Sequence, residues 1–215
     1  MKHAETAGAV APGTPISLRQ ARAVAATIVR DTSANPAPLG MMGFGLTTIL
    51  LCLRHVGALS STSGVLALGI LCGGAAQVVA GIMEWRKKNT FGTVAFVGFG
   101  LFWLSLGVLL SVPRLGVGGA GDRSDMAAYL FVWGLFSVVL FVATLKMNRA
   151  VMGVFFALTV LFFLLAVADA TESERLQRIA GWEGILCGMG AIYVGAAQIL
   201  NEVWGRSVLP LGTIE

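Results

Sequence analysis

Asn35-Pro36-Ala37-Pro38-Leu39-Gly40-Met41-Met42-Gly43-Phe44-Gly45 opens the first long apolar run of this chain. Two prolines spaced by two fit the first turn of a helix, where the leading N–H groups lack intrahelical partners, and would break its interior. Asn35 just ahead of them predicts an N-cap. From Leu39 the chain stays apolar to Leu53. The segment therefore reads as a capped, proline-stiffened helix start at a membrane surface. The positive end of such a helix's dipole suits a small anion.

Composition agrees with a membrane setting. The chain is 56% hydrophobic and only 12% charged, where ordinary globular proteins carry about 25% charged residues. A membrane helix needs about 20 mostly apolar residues, and six stretches supply them: residues 39–58, 63–84, 92–112, 126–145, 150–169 and 181–200. None has an acidic or basic residue in its central part. Strand-like alternation is absent, which argues against a membrane barrel. The stretch from Met1 to Arg30 lacks an apolar core of signal type, so no cleaved signal is expected. The predicted organisation is a cytoplasmic tail over residues 1–32, a six-helix transport domain over 33–205 and a cytoplasmic tail over 206–215. In the first tail, Leu18, Ala21, Ala25 and Val29 fall near one face, which fits either a short interfacial helix or a plain basic tail.

Charge sets the expected orientation. With six spans, one side of the membrane receives Lys2, Arg19, Arg22, Arg30, Arg86, Lys87, Lys88, Lys146, Arg149 and Arg206. The other receives Arg54, Arg114, Arg123, Arg175 and Arg178. Ten cations against five place both termini in the cytoplasm, in a multi-pass protein of the cytoplasmic (inner) membrane. No basic and aromatic stripe lies outside the spans, so nucleic acid is not an expected partner. Cys52, Cys72 and Cys187 sit in apolar stretches and read as packing residues. No metal-ligand spacing, no Ser–His pair at membrane depth and no phosphate-cradling loop is present; no enzyme activity, cofactor, metal or catalytic residue is expected.

The spans echo one another. Gly43-Phe44-Gly45-Leu46 recurs as Gly98-Phe99-Gly100-Leu101, and Leu158 in Phe156-Ala157-Leu158-Thr159 takes the place of the two phenylalanines. Gly69-Ile70-Leu71-Cys72-Gly73 recurs verbatim as Gly184-Ile185-Leu186-Cys187-Gly188. Gly74-Ala75-Ala76-Gln77 and Gly195-Ala196-Ala197-Gln198 share a word in another register, which reads as chance. The expected fold is an all-α membrane protein of three tandem helix hairpins in a ring around a central pore. Paired glycines four apart predict tight helix contacts, within or between subunits.

Equivalent odd spans put Phe44, Phe99 and Leu158 at one depth, a hydrophobic constriction that obstructs water and ions. Polar residues near it are candidates for the substrate path: Asn35 at the mouth, then Thr47, Thr48, Gln77 and Trp103, with Thr47 and Trp103 favoured by spacing. Gln198, Tyr193 and Asn201 are further candidates. Each has a plainer reading as a helix-to-helix hydrogen bond. Glu84 reads either as an interfacial carboxylate paired with a neighbouring Lys, Asn or helix end, or as a protonatable gating group. His55 and His3 lie outside the membrane centre. With no ionisable residue in mid-span, a passive or weakly coupled anion path fits better than a dedicated proton pump, and symport in which the substrate itself carries the proton stays open.

At several of these segments the chain resembles the acetate uptake transporter family, of the succinate–acetate permease type. Asn35 to Gly40 match its signature, and the likeness continues through Gly43-Phe44-Gly45-Leu46-Thr47-Thr48-Ile49-Leu50-Leu51. It recurs in Glu84 with Lys87-Lys88-Asn89-Thr90-Phe91-Gly92, in Phe102-Trp103-Leu104, in Ala180-Gly181-Trp182, and in Leu200-Asn201-Glu202 with Gly205-Arg206. The resemblance implies a permease or channel for acetate and similar small carboxylates, succinate included. It also implies a homo-hexamer in membrane lipid with one path per subunit, and a pore narrowed at the positions of Phe44, Phe99 and Leu158. It suggests a role for Glu84 in shape or gating. The alternatives weighed against it are a channel for a neutral solute such as urea or an amide, a membrane-embedded enzyme, and a structural or sensory membrane protein.

Overall fold

The computed structural model describes residues 33–115 and 123–213. Six long helices follow in order: α1 (Ala37–His55), α2 (Ser63–Arg86), α3 (Thr90–Leu115), α4 (Arg123–Thr144), α5 (Arg149–Ala170) and α6 (Glu174–Trp204). All six are long and apolar enough to cross a membrane, and the described residues contain no strand. The tail over residues 1–32, with its suggested interfacial helix and His3, lies outside the described residues.

The six expected spans are all present, with shifted ends. α6 starts at Glu174, well before the expected Gly181, because Ser173 Oγ accepts from the Leu176 N–H at 3.3 Å and Glu174 complements the positive first turn. α1 stops at His55 rather than Ala58, since Gly57 turns the chain with φ +85°.

Each odd helix opens on an asparagine. Asn35 Oδ1 accepts from Ala37 N at 3.1 Å, Asn89 Oδ1 from Gly92 N at 3.1 Å, and Asn148 Oδ1 from Val151 N at 2.9 Å. Asn35 does not occupy the N-cap position itself, as expected from sequence; Pro36 stands there and Asn35 reaches in from one residue earlier. The bond from Asn35 also changes what α1 offers an anion. Ala37 N is taken by Asn35, Leu39 N and Gly40 N reach Pro36 O at 3.1 and 3.4 Å, and the prolines have no N–H. The dipole remains, but its first turn presents no free donor.

The helices close into a ring: α1 packs on α6 and α2, α2 on α3, α4 on α5, and α5 on α6. Between α3 and α4 the backbones stand further apart and aromatic rings fill the seam. Phe99 meets Phe136 at 5.3 Å between centroids, Phe102 meets Trp133 at 5.4 Å, and Tyr129 donates to Phe102 O at 3.0 Å. At the opposite seam α1 and α6 touch backbone to backbone. A Cβ on Gly45 would stand 2.6 Å from Gly188 O, and one on Gly188 would stand 2.9 Å from Gly45 O. The repeated glycine words thus serve contacts within the chain.

The segment after α6 folds back. Asn201 Oδ1 accepts from Val208 N and Leu209 N at 2.6 and 3.0 Å, its Nδ2 donates to Leu209 O at 2.8 Å, and Tyr193 donates to Pro210 O at 2.7 Å. Asn201 and Tyr193, candidates for the path from sequence, instead clamp this segment.

Candidate functional site

Among the cavities formed by the described residues, three share lining from α1, α3 and α5. The first, about 310 Å³, opens where α1, α3 and α5 begin. Its polar lining is Asn35, Glu84, Lys87, Asn89 and Gln198. The second is a neck of about 10 Å³, room for roughly one water. It is walled by Met41, Phe44, Phe96, Phe99, Phe155 and Leu158, among other apolar side chains, with Gln77 as its one polar member. The third, about 180 Å³, lies at the other end with Arg54, His55, Thr62, Asp169 and Gln177 among apolar side chains.

The lining obeys the sequence repeat. Ala37, Gly92 and Val151 share the first vestibule, as do Met41, Phe96 and Phe155. Phe44, Phe99 and Leu158 share the neck. Leu51, Leu106 and Leu165, then His55, Leu110 and Asp169, share the far vestibule. Every trio keeps the two spacings of the first echo, that from Phe44 to Phe99 and that from Phe99 to Leu158. Only three equivalent helices facing one axis bring such trios to common cavities.

At the neck, Phe44 and Phe99 lie 6.0 Å apart between ring centroids, both buried, with Leu158 buried beside them. Phe99 also contacts Trp133, Phe136 and Phe155 and stacks on Phe162 at 6.2 Å with planes 14° apart. Phe162 in turn meets Phe102 edge-on at 5.0 Å, and Phe102 walls the far vestibule. A second aromatic layer, Phe102 and Phe162, thus packs behind the Phe44–Phe99 pair, and sequence reasoning did not single it out as part of the neck.

The polar candidates divide. Gln77 follows a π-helical stretch, Gly69–Ala76, that interrupts α2. Each π turn holds an extra residue, which resets the face on which Gln77 emerges; its side chain is buried at the neck and its Oε1 has no hydrogen-bond partner. Thr48 lies on the α1 stripe of Met41, Phe44, Leu51 and His55, all of which line cavities, and its buried hydroxyl has no partner. Thr47 does not join them: it donates to Gly43 O at 2.8 Å and lies 3.3 Å from Leu68 O on α2. Trp103 fills the notch left by Gly73 on α2 and, like Thr48, lines neither vestibule nor the neck; its buried Nε1 also has no hydrogen-bond partner.

Glu84 is buried and lines the first vestibule, where its Oε2 accepts from Asn89 Nδ2 at 2.8 Å. That pairing with an Asn was one of its two expected readings. In the far vestibule, Asp169 Oδ1 accepts from Gln177 Nε2 at 2.8 Å. Arg54 counted from sequence only as loop charge, and Asp169 and Gln177, which stand at span ends, were not singled out. Glu183 was missed as well: it is half-buried within α6, with one carboxylate oxygen unpartnered.

The model of the GPR1/FUN34/yaaH family matches residues 19–211. The chain belongs to that family. Among its relatives, the succinate-acetate/proton symporter SatP of Escherichia coli K12 is 48% identical over 179 residues, 83% of this chain and 95% of that protein. Ammonia transport outward protein 2 of Saccharomyces cerevisiae is 37% identical over 177 residues, 79% of this chain and 62% of the yeast protein. A solved structure of the bacterial acetate channel SatP superposes with a TM-score of 0.83 at 48% identity, over 84% of this chain and all of the other. The six-helix fold of this family member is thus that of a known membrane channel, and the protein is a multi-pass membrane protein.

Proposed function

We propose that this chain is a permease or channel that moves acetate and similar small carboxylates, succinate included, along the axis of its six-helix ring. The observation that carries this is the sequence of cavities: two largely apolar vestibules, each with one Lys or Arg and one carboxylate, separated by an aromatic neck that contains a single amide. The likeness to SatP, named both a symporter and a channel, supports the same substrate class.

Phe44, Phe99 and Leu158 are the constriction, which obstructs a hydrated ion until the rings part. Thr48 offers a hydroxyl to the substrate passing the rings, and the unpartnered Oε1 of Gln77 accepts from the O–H of a protonated acid there. Lys87 and Arg54 draw the anion into the two mouths. Asn35 and its signature segment fix the start of α1 at the first mouth, and Glu84 with Asn89 shapes it. The first mouth faces the cytoplasm of the inner-membrane protein, as the cation bias predicts, with residues 33–205 as the transport unit. The working assembly is a homo-hexamer with one path per subunit.

Purified chain in liposomes, given labelled acetate, should show saturable protein-dependent uptake that succinate competes and urea does not. Uptake of urea but not acetate by folded protein would shift the reading to a neutral-solute channel.

A further inference from the structure

We propose that the groove outside the α2–α3 turn binds the phosphate headgroup of an anionic membrane lipid. The groove, about 270 Å³, is lined by Trp85, Lys88, Asn89, Thr90, Thr93 and Val94. It shares only Asn89 with the axial cavities, and both polar atoms of that side chain are already committed to Glu84 and Gly92.

The turn builds the groove from its backbone outward. Lys88 takes a left-handed conformation, φ 61°, and its N–H bonds Trp85 O at 3.0 Å while Asn89 N bonds Glu84 O at 3.1 Å. Those bonds close the helix end and hold the ammonium stem and the indole on one rim. A lysine is seldom placed where a glycine or asparagine is easier, which suits a position whose side chain is used. Arg86 and Lys88 are exposed, and neither has a carboxylate partner among the described residues. Lys88 on the groove's rim, with Arg86 outside the lining but two residues away on the same turn, complements a phosphate beside the positive first turn of α3.

Two further features commit the site to lipid rather than to a free anion. Trp85 is 68% exposed at the end of a membrane span, the depth at which an indole sits among headgroups. Toward the membrane the same helices expose Val79, Ile82 and Val94, a strip for acyl chains that an inorganic ion would leave unused.

Native mass spectrometry of the full chain in detergent, titrated with phosphatidylglycerol or phosphatidylcholine, tests this. Wild-type protein should retain phosphatidylglycerol preferentially. Arg86→Gln and Lys88→Gln should each weaken it about fivefold, the share of one juxtamembrane cation, while Lys88→Arg keeps it. Trp85→Ala should shorten retention of both lipids. Equal retention of the two lipids by wild type, unchanged retention in both Gln variants, or displacement of the lipid by inorganic phosphate would each overturn the proposal. Acetate uptake by the Gln variants in phosphatidylcholine vesicles should match wild type, so failure here is separable from failure of the transport reading.

Discussion

Truncating Phe99 to Ala removes the ring that touches Phe44, Trp133, Phe136, Phe155 and Phe162 at centroid distances of 5.3–6.4 Å. The neck, about 10 Å³ as it stands, gains a void on the order of 100 Å³, with a cavity penalty of ~2–3 kcal/mol at ~24 cal/mol per Å³. The variant should therefore melt earlier in detergent yet stay folded, because the backbone-to-backbone glycine contacts of α1 and α6 are untouched. Loss of the inner aromatic layer should lower the passage barrier. A decrease of only ~1.4 kcal/mol raises flux about tenfold, and the larger succinate should gain more than acetate. Proteoliposomes with each labelled anion, beside a dye-leak control, read this directly. Phe99→Leu should fall between the two. A folded Phe99→Ala protein with unchanged rates and an unchanged succinate-to-acetate ratio would refute the assignment, and Phe99 would be mere packing.

Thr48→Val should leave stability level or raise it by up to ~1 kcal/mol, because the buried hydroxyl has no partner to lose; if that hydroxyl serves the passing carboxylate, acetate uptake falls while thermal melting does not. Asn89→Ala strips the α3 cap and the Glu84 partner together, a loss of ~2–3 kcal/mol in detergent melting. Adding Glu84→Ala should recover part of it, since no buried carboxylate is then left unpaired. Gly188→Leu, by forcing a side chain onto Gly45 O and Ile49, should reduce the monodisperse fraction on size exclusion, at a cost of ~1–3 kcal/mol or more. Asn201→Ala gives up three bonds to Val208 and Leu209, and limited proteolysis should then release the end of the chain while the helices stay protected.

The fold was legible because length and apolarity alone identify a membrane span, and because a two-span repeat forces parallel units. The neck trio was legible for the same reason: equal offsets put equal residues at equal depth. What spacing could not settle is which of two adjacent residues turns inward. Thr47 and Thr48 follow Phe44 by three and four positions, so on a helical wheel they flank its direction, one to each side. The carbonyls of Gly43 and Leu68 hold Thr47 toward α2, while Thr48 stays on the α1 stripe of cavity-lining residues with its hydroxyl unpartnered. Phe102 and Trp103, at the same two offsets from Phe99, divide the other way: the notch at Gly73 takes the indole, and the residue three after Phe99 lines the far vestibule. The π-helical stretch of α2 has no signature in composition, so the direction of Gln77 was unreadable. The caps at Asn89 and Asn148 hid among loop polarity, although they repeat the Asn35 device at the other two hairpins.

The position of charge along the axis bears on how a proton could travel. Glu84 lies in one vestibule and Asp169 in the other, and among the described residues no ionisable side chain lines the neck between them. A relay of side chains would have to cross that gap through a space holding about one water. A short carboxylic acid titrates near the range of Glu, about 4.3, so at neutral pH nearly all of it arrives as the anion. On the proposed reading the vestibule cations concentrate that anion, and the neck then presents two routes. Either the rings part and a hydrated anion follows, carrying current, or a proton joins the carboxylate at the mouth and the neutral acid crosses the apolar layer. In the second route the substrate itself is the proton carrier, and coupling needs no buried carboxylate at the centre.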